Sequence, residues 1–461
     1  MIPLSKLCDA ADWFDPEIDR IIREELREVP YFHRKQWEFA LIFHALQRLG
    51  LLGPDRTGLS MGGGRELLLY ALAPHSKQLT VTDLYDSHTT WDCAKTDDPD
   101  TFLKTNMPLQ IDTAKLRGLR MDMRDLEFDD NTFDFAYSSC AIEHIGGHED
   151  FLRHLNEAYR VLKDGGAYVF TTEFNYGPEL IEHPNNYIFA AEYLASLIAE
   201  TSFVPDAEFD AHIAHHRANY PVPANLGNLA FAGRGHLSTS IVQQTRHMQL
   251  LRGRQAYTSA IFVLRKDHSK EKRPIRFIGL RESHSFVEAG LGEYRSAVQE
   301  NRVTLDPFVL LPGGSSFYFA GHEGFFSRDR SHQRDYETVF HSDYVWLGSG
   351  DRILEMRMNV RERSDRCSLD LRVHSMKTVS NGTAETVRSV ELPVLREGIL
   401  IERISFKADD NFSYAALAHV VEGYCVFESI ELTVYPSGFD PRENTLRAAS
   451  KESMIHPQEH V

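Results

Sequence analysis

The stretch LSMGGGRE, residues 59–66, is a short apolar strand that runs into a glycine-rich turn. Glycine at such a turn lets the backbone approach a ligand closely, because a side chain would collide with it. A second short strand, residues 79–81, leads to Asp83, where an acidic side chain can accept hydrogen bonds from both hydroxyls of a ribose. The two features predict an adenosine-containing ligand and leave open whether it is a dinucleotide.

Strands and helices alternate on both sides of this turn. The apolar pattern predicts further strands at 119–121, 133–139, 167–172 and 257–264, and helices at 65–72, 148–162 and 188–200. Residues 1–55 read as a helical segment packing on this domain, with a helical period over 31–52. Strands and helices at this spacing indicate a parallel sheet with helices on both faces. The predicted fold of residues 56–265 is α/β, a Rossmann-like doubly wound sheet.

Two acidic residues discriminate between the ligands. Glu66 stands where the dinucleotide pattern has its third glycine, at the helix start that would hold a pyrophosphate. A carboxylate there repels a pyrophosphate, but it does not repel a cationic ligand without phosphate. Asp122 follows the third strand, just before Met123, and an acid at that place can accept from an adenine amino group. Glu66 therefore argues against NAD.

Four segments carry a resemblance to the class I S-adenosylmethionine-dependent methyltransferases of the type 11-like kind. They are LSMGGGRE, VTDLYD, RMDMRDLEFDDNTFDFAYSSCAIEHI and EAYRVLKDGGAYVFTTEF. The resemblance implies S-adenosyl-L-methionine as the cofactor. It implies that Gly62 and Gly64 line the methionine part, that Asp83 binds the ribose, that Asp122 and Met123 flank the adenine, and that Ser139 lies under the cofactor.

The chain departs from this family at two cofactor positions. Ser60 stands where an acidic residue is usual, and Glu66 stands where a third glycine is usual. The acid that is missing at Ser60 would be a partner for the methionine ammonium. Glu66 or a water can take its place.

Methyl transfer to an alcohol or a phenol benefits from a general base near the nucleophile. His144 follows the fourth strand at the carboxyl end of the sheet, where open α/β folds bind their ligands. Histidine titrates near neutral pH, so His144 is the preferred base, and Glu143 and Glu173 are the second choices. The alternative for His144 is packing under the cofactor or capping the next helix.

An insertion at about 210–254 is longer than a strand connection requires and is rich in histidine. It is predicted to be either a lid over the acceptor pocket or a solvated helix face. His212 with His215 or His216 has helical metal-ligand spacing, but no cysteine or acidic partner supports it, so no metal is predicted. Trp37, Glu38 and Trp91 are interpreted as packing residues, and the alternative for Trp91 is a place at the edge of the substrate site.

Beyond a charged linker at 265–276 the apolar period changes to two. Leu354, Met356, Met358 and Val360 alternate with polar residues, as do Ile430, Leu432 and Val434. Alternation with turn signals between the runs predicts an all-β sandwich over 276–436, followed by a tail at 437–461. Its closing segments weakly resemble the jelly-roll accessory modules of enzymes of cell-surface polysaccharide assembly.

Composition indicates which classes of binding partner the protein is expected to lack. The 461 residues carry 50 Lys and Arg against 67 Asp and Glu, a net charge of -17, which weighs against nucleic acid and anionic membranes. Five scattered cysteines suggest a reducing compartment, and a cytoplasmic location is expected. The functional hypothesis is O-methylation of a saccharide or related hydroxylated small molecule in glycan biosynthesis, with a homo-oligomer through the sandwich left open. The alternatives are a non-catalytic methyltransferase-fold scaffold with a glycan-binding sandwich, and an NAD-dependent oxidoreductase.

Overall fold

A computed structural model gives the fold. It describes residues 2–438 except 29, 31, 90, 184–185, 216, 224–246, 253–254, 300–302, 306, 311–316, 320–336, 343–344, 348, 378–384 and 410. The chain divides into two compact units, Met1–Gly292 and Glu293–Val461.

The first unit contains a large mixed sheet. Its strands, in chain order, are β1 (Lys6–Leu7), β2 (Thr57–Met61), β3 (Gln78–Asp83), β4 (Leu116–Arg120), β5 (Phe133–Ser139), β6 (Leu162–Asn175), β7 (Ile181–His183), β8 (Asn186–Ala190), β9 (Val204–Pro205), β10 (Glu208–Asp210), β11 (Val222–Pro223), β12 (Leu250–Arg252), β13 (Gln255–Arg265) and β14 (Arg276–Ile278). The main path through it runs β14-β10-β1-β13-β6-β5-β2-β3-β4.

The α-helices of the described chain are α1 (Pro16–Arg20), α2 (Arg34–Arg48), α3 (Leu67–Leu72), α4 (Pro99–Lys104), α5 (His148–Val161), α6 (Ala191–Ala199) and α7 (Leu280–Gln299). A π-helical turn at Ile21–Glu25 continues α1. Short 3-10 turns lie at Ala10–Phe14, Ala73–His75, Asp92–Ala94, Thr113–Lys115, Ile142–His144 and Arg217–Asn219.

The centre of the sheet confirms the predicted fold class. Strands β6, β5, β2, β3 and β4 are adjacent in that order and pair in parallel. The predicted parallel pairing holds for these five strands, whereas β13 pairs with β6 antiparallel and β1 pairs with β13 antiparallel. Parallel strands leave all their carboxyl ends at one edge, so Met61, Asp83 and Ser139 end at the same edge of the sheet.

Helix α5 packs its apolar side chains against this sheet. Phe151, Leu155 and Ala158 are fully buried, as the sequence period predicts, and Val161 is buried with them. Of the other two residues predicted on this face, Tyr159 is partly buried and Leu162 belongs to β6. The predicted helix at 188–200 begins later, at Ala191. Residues 186–190 instead form β8, which pairs in parallel with the end of β6, because an apolar run this short fits a buried strand as well as a helix.

Asp134 ties three strands together at the opposite end of the sheet. Its carboxylate accepts from the backbone nitrogen and the hydroxyl of Thr57, both at 2.9 Å, and from Lys163 at 2.8 Å and Arg56 at 3.0 Å. Burial opposes ionisation, but these four donors from Lys163, Thr57 and Arg56 lower the pKa of Asp134 to about 2. The ionised form therefore stabilises the fold.

Replacing Asp134 by asparagine is expected to lower the free energy of unfolding of the first unit by about 2 kcal/mol at neutral pH, because charge-assisted hydrogen bonds are lost. The folded-state pKa lies below the ordinary value of 3.8, so the contribution is present above that pH and is lost as the pH falls towards about 2. Urea titrations at pH values from neutral to acidic measure the difference. A matched variant, Asp130→Asn, alters an exposed ion pair with Arg160 and should change stability by about 0.5 kcal/mol or less. Equal losses in both variants, or a pH-independent loss in Asp134→Asn, would contradict this role.

The second unit consists of antiparallel strands. They are β15 (Val303–Leu305), β16 (Pro307–Leu310), β17 (Phe317–Phe319), β18 (Glu337–Ser342), β19 (Val345–Trp346), β20 (Gly350–Arg363), β21 (Ser368–Lys377), β22 (Glu385–Pro393), β23 (Gly398–Ala408), β24 (Phe412–Glu422) and β25 (Cys425–Pro436). One sheet has the order β15-β25-β20-β23, and the other has the order β17-β16-β18-β24-β21-β22 with β19 paired to β24.

Both sheets of the second unit share one apolar core. Leu354, Met356, Met358 and Val360 of β20 are buried, and so are alternate residues of β21, β24 and β25. This confirms the predicted alternation, and it is consistent with a sandwich. The jelly-roll connectivity stays a prediction.

The division between the units falls after Gly292, later than the predicted start of the sandwich at 276. Strand β14 explains the difference, because Arg276–Ile278 pairs with β10 and extends the sheet of the first unit. Thus the predicted linker at 265–276 joins two strands of one sheet. Most of the insertion at 210–254, including His216 and His236, lies outside the described residues, as does nearly all of the tail at 437–461.

The described part of the insertion does not have the predicted helical spacing. Residues 211–215 form no helix, and His212 Nδ1 lies 2.8 Å from a carboxylate oxygen of Asp210 on the surface. His247 stacks on His33, with ring centroids 4.5 Å apart. Within the described residues, no helix has both the length and the apolar character needed to cross a membrane.

Candidate active site at the carboxyl edge of the sheet

The glycine turn after β2 is held by Asp83. Gly62 and Gly64 have φ values of +66° and +45°, the left-handed region that glycine enters without strain. The Asp83 carboxylate accepts from the backbone nitrogen of Gly64 at 2.8 Å and from that of Leu84 at 2.7 Å. Burial raises the pKa of Asp83, and these two backbone donors oppose the rise. The turn and Asp83 therefore form one unit, with carboxylate lone pairs left for a further donor.

A loop after β3 covers this turn. The Tyr85 hydroxyl donates to the carbonyl oxygen of Gly64 at 2.7 Å. A Cβ atom on Gly64 would lie 3.0 Å from the carbonyl oxygen of Cys93, so a side chain at Gly64 would be crowded by backbone. Trp91 is 57% exposed, and its ring centroid lies 5.2 Å from that of His144. Trp91 therefore lies at the rim of the site.

Met123 lies beside the turn, and the preceding Asp122 is bound by an arginine. A Cβ atom on Gly62 would be 3.4 Å from the sulfur of Met123, so this buried side chain flanks the turn. The Asp122 carboxylate is already bound by Arg124, which reaches it at 2.7 Å. Hydrogen bonding from Arg124 lowers the pKa of Asp122, so the carboxylate is ionised and shared.

Helix α2 brings a lysine and a buried glutamate to the end of β5. Lys35 Nζ donates to the carbonyl oxygen of Ser139 at 2.9 Å and to its hydroxyl at 3.1 Å. The same ammonium lies 3.1 Å from Glu38 and 3.3 Å from Glu66. Glu38 is fully buried and accepts from the hydroxyls of Ser139 and Ser259. The interpretation of Glu38 as packing is therefore wrong, because its carboxylate is bound by polar groups on three elements.

The two carboxylates that share Lys35 differ in charge state. Burial raises the pKa of Glu66 to about 7, since Lys35 only partly offsets it and Glu38 adds repulsion. Burial also opposes ionisation of Glu38, but Lys35 and Arg34 hold its pKa below the ordinary value. Oxygen Oε2 of Glu66 is buried and has no hydrogen-bond partner in the described structure. The site is thus short of one hydrogen-bond donor at Glu66.

A second group of polar residues lies at the ends of β6 and β13. Arg34 donates to Glu173 at 2.7 Å, and the amide nitrogen of Asn186 donates to the other oxygen of Glu173 at 2.9 Å. Cys140 has a φ of 50°, a conformation that costs energy in a residue with a side chain, and its thiol donates to Glu38 at 3.2 Å. Arg34 and Asn186 together therefore engage both carboxylate oxygens of Glu173.

Glu143 lies in the 3-10 turn that follows β5. It is 1% exposed, and its Oε2 accepts from the hydroxyl of Thr172 at 2.9 Å. Its Oε1 is buried without a partner in the described structure, and the same is true of Oδ1 of Asn186, on the strand packed against this turn. Burial raises the pKa of Glu143, His144 opposes the rise and Glu173 adds to it. The adjacent His144 is solvent-exposed.

We compared the chain with known proteins. Residues 59–170 match the family described as methyltransferase domain. The first unit contains a methyltransferase domain. The match spans the glycine turn, Asp83, Met123 and Glu143, so the prediction of an S-adenosylmethionine-dependent methyltransferase and of its cofactor is confirmed.

Three solved structures that are similar to this chain carry the names of methyltransferases. Geranyl diphosphate C-methyltransferase from Streptomyces coelicolor A3(2) is 17% identical, with 57% of this chain and 88% of that chain covered and a TM-score of 0.33. The 1,6-didemethyltoxoflavin-N1-methyltransferase from Burkholderia thailandensis is 15% identical, with 48% and 74% covered and a TM-score of 0.30. A putative sarcosine dimethylglycine methyltransferase from Galdieria sulphuraria is 12% identical, with 54% and 98% covered and a TM-score of 0.34. The comparison with curated protein sequences gives no match.

Several polar residues of the site escape the sequence reasoning. Lys35, Glu38, Asn186 and Ser259 lie outside the matched range and far apart along the chain, so no local motif joins them. One signal was present in the segment RKQWEF, in which Lys35 and Glu38 fall on one helix face that is otherwise apolar. Charged residues inside an apolar helix face indicate a buried polar site.

Proposed function

We propose that the protein transfers a methyl group from S-adenosylmethionine to a hydroxyl group of a small-molecule acceptor, with Glu143 as the general base. The observation that carries the proposal is the unpartnered oxygen Oε1 of Glu143, buried at the edge where the glycine turn and Asp83 also end. A buried acceptor atom without a donor is costly unless a ligand supplies one. A hydroxyl group supplies one.

The residues present fit the cofactor. Gly62 and Gly64 expose backbone in a conformation that side chains disfavour, Asp83 retains lone pairs for ribose hydroxyls, and Met123 offers an apolar surface to a flat ring. Ser60 is buried against Gly63 of the turn, and Ser139 is buried at the end of β5. The Asp122 carboxylate, which Arg124 also binds, would accept a hydrogen bond from the adenine amino group. A cationic ligand also suits the unpartnered carboxylate oxygen of Glu66.

Glu143 suits the removal of a hydroxyl proton. When bound, the cofactor supplies an electrophilic methyl group. Thr172 holds Oε2 of Glu143 in place, which leaves Oε1 to accept the hydroxyl hydrogen bond and then the proton. Its raised pKa makes it a stronger base than an exposed carboxylate, and burial excludes the water that would compete.

The base role is assigned to Glu143 in preference to His144 and Glu173. His144 is exposed beside Trp91, where water would reach it, and it opposes the raised pKa of Glu143. Glu173 already binds Arg34 and Asn186, so its oxygens are positioned to orient the site and are not free to accept a proton. His144 then lies at the entrance, and Glu173 is a positioning residue.

We propose a saccharide or a related hydroxylated compound as the acceptor. Oδ1 of Asn186 is a second unpartnered acceptor near Glu143, and a molecule with several hydroxyls can satisfy both atoms. We further propose that the acceptor belongs to glycan biosynthesis and that the second unit binds glycan or joins copies of the chain in an oligomer.

An activity screen tests this function. The full-length protein is incubated with methyl-labelled S-adenosylmethionine and a panel of sugars, nucleotide sugars and matched deoxy or amino analogues, and binding of S-adenosylhomocysteine and NAD is measured by calorimetry. We expect binding of S-adenosylhomocysteine but not NAD, and label in a methyl ether. Label only on amines would overturn the hydroxyl assignment. Absence of both binding and product would favour a non-catalytic scaffold.

A further inference from the structure

Lys35 occupies an unusual position for a lysine on the first turn of a helix. Its side chain is 18% exposed, and its ammonium contacts Ser139, Glu38 and Glu66 at once. Burial opposes a charged lysine, yet Glu38 and Glu66 raise its pKa, so the ammonium is charged. A fixed positive charge therefore stands between the glycine turn and the end of β5.

Glu66 is only half satisfied by this lysine. Oε1 lies 3.3 Å from Lys35, while Oε2 is buried without a partner. Ser60, which precedes the turn, is a neutral and fully buried residue. Two carboxylates, Glu66 and Asp83, therefore lie at the turn. Asp83 is already held by backbone amides.

We propose that Lys35 and Glu66 form the recognition pair for the zwitterionic amino-acid end of the cofactor, with Lys35 binding its carboxylate and Oε2 of Glu66 binding its ammonium. This inference rests on the proposed function. It assigns a specificity role to a residue of helix α2, outside the matched domain range, and it gives the neutral Ser60 a functional replacement.

Charge complementarity supports the assignment. An α-amino acid carries one positive and one negative group a few bonds apart, and the pair Lys35–Glu66 presents the opposite charges at neighbouring positions. The three N–H donors of Lys35 already face Ser139, Glu38 and Glu66, so a ligand carboxylate displaces the longest of these contacts, the one to Glu66 at 3.3 Å. Glu38 keeps Lys35 oriented during this exchange. Charge-assisted hydrogen bonds in a site of low polarity are the strong ones.

Two probes that differ only in the amino-acid end test the pair. Calorimetry compares S-adenosylhomocysteine with 5′-methylthioadenosine, which keeps the adenosine and lacks the amino acid. In Lys35→Met we expect S-adenosylhomocysteine to bind about 30-fold to 100-fold more weakly, since a charge-assisted contact is lost, and methylthioadenosine to bind within about threefold of wild type. Lys35→Arg should keep most of the affinity.

Controls separate a folding defect from a lost contact. Binding of methylthioadenosine in Lys35→Met shows that the adenosine end of the site is intact. Lys77→Met removes an exposed lysine next to β3 and should change neither affinity. Equal loss of both probes in Lys35→Met, or tighter binding of S-adenosylhomocysteine, would overturn the inference, the latter because Lys35 would then compete with the ligand. If wild type binds neither probe, the proposed function itself fails.

The pH dependence gives a second readout of the same pair. Glu66, with a pKa of about 7, faces three charged groups and two neutral ones, which are Lys35, Glu38, Asp83, the Cys93 thiol and the Tyr137 hydroxyl. A ligand ammonium at Oε2 favours the charged form of Glu66. Affinity for S-adenosylhomocysteine should therefore rise about tenfold from about pH 6 to about pH 8 in wild type. In Glu66→Gln the rise should be absent, and methylthioadenosine should show none in either protein. A rise of equal size in Glu66→Gln would contradict the assignment.

Discussion

Replacing Glu143 by glutamine is expected to lower kcat for methyl transfer by about 10²-fold to 10⁴-fold while leaving the affinity for S-adenosylhomocysteine within about threefold of wild type. The amide keeps the size of the side chain and its contact with Thr172, but it cannot take up a proton. Burial raises the pKa of Glu143 above its ordinary value of 4.5. The wild-type rate should therefore fall as the pH drops through this raised pKa, because the protonated form is no longer a base. Steady-state kinetics on the acceptor found in the screen measure both effects.

Variants at the two neighbouring candidates make this prediction specific. His144→Gln should lower kcat by less than about tenfold, because His144 is exposed at the rim. Glu173→Gln should raise KM more than it lowers kcat, because Glu173 orients Arg34 and Asn186. A loss of kcat in His144→Gln that matches or exceeds the loss in Glu143→Gln would return the base role to His144.

The residues proposed to bind the cofactor lie close together in the sequence, so a local motif predicts them. A turn that needs left-handed backbone calls for glycine, and Gly62 and Gly64 do have positive φ. Asp83 ends β3 and binds the turn across the neighbouring strand, as parallel pairing at one edge requires. The alternation of β20 was readable for a similar reason, since one face of the strand lies on the core.

The polar contacts that helix α2 makes at the site could not be predicted from a local motif. Lys35 and Glu38 meet Ser139 and Ser259 only after α2 packs over the ends of β5 and β13. Nothing in a short window of sequence indicates that pairing, and the antiparallel direction of β13 was itself missed. Strand β14 was missed because its three residues are too short for a period and lie in a charged segment.

Replacing Asp83 by alanine is expected to weaken S-adenosylhomocysteine and 5′-methylthioadenosine equally, by about 10²-fold or more. Two hydroxyl hydrogen bonds to a carboxylate contribute about 1.5 to 3 kcal/mol each, and every 1.4 kcal/mol is tenfold in affinity. The carboxylate also holds the turn through Gly64 and Leu84, so its loss loosens the backbone on which the ligand rests. Calorimetry on both probes measures the effect.

The equal loss of both probes distinguishes Asp83 from Lys35, because only the adenosine end of the ligand meets Asp83. Asp86→Ala is the matched control. It removes a carboxylate from the same loop, one that accepts from the backbone of His88, and it should leave both affinities within about threefold of wild type. Asp83→Asn should show a smaller loss than Asp83→Ala, since the amide oxygen can still accept from a backbone amide. Retention of full affinity in Asp83→Ala would show that the ribose lies elsewhere. It would also require a different reading of the glycine turn, whose left-handed backbone at Gly62 and Gly64 would then serve the fold and not a ligand.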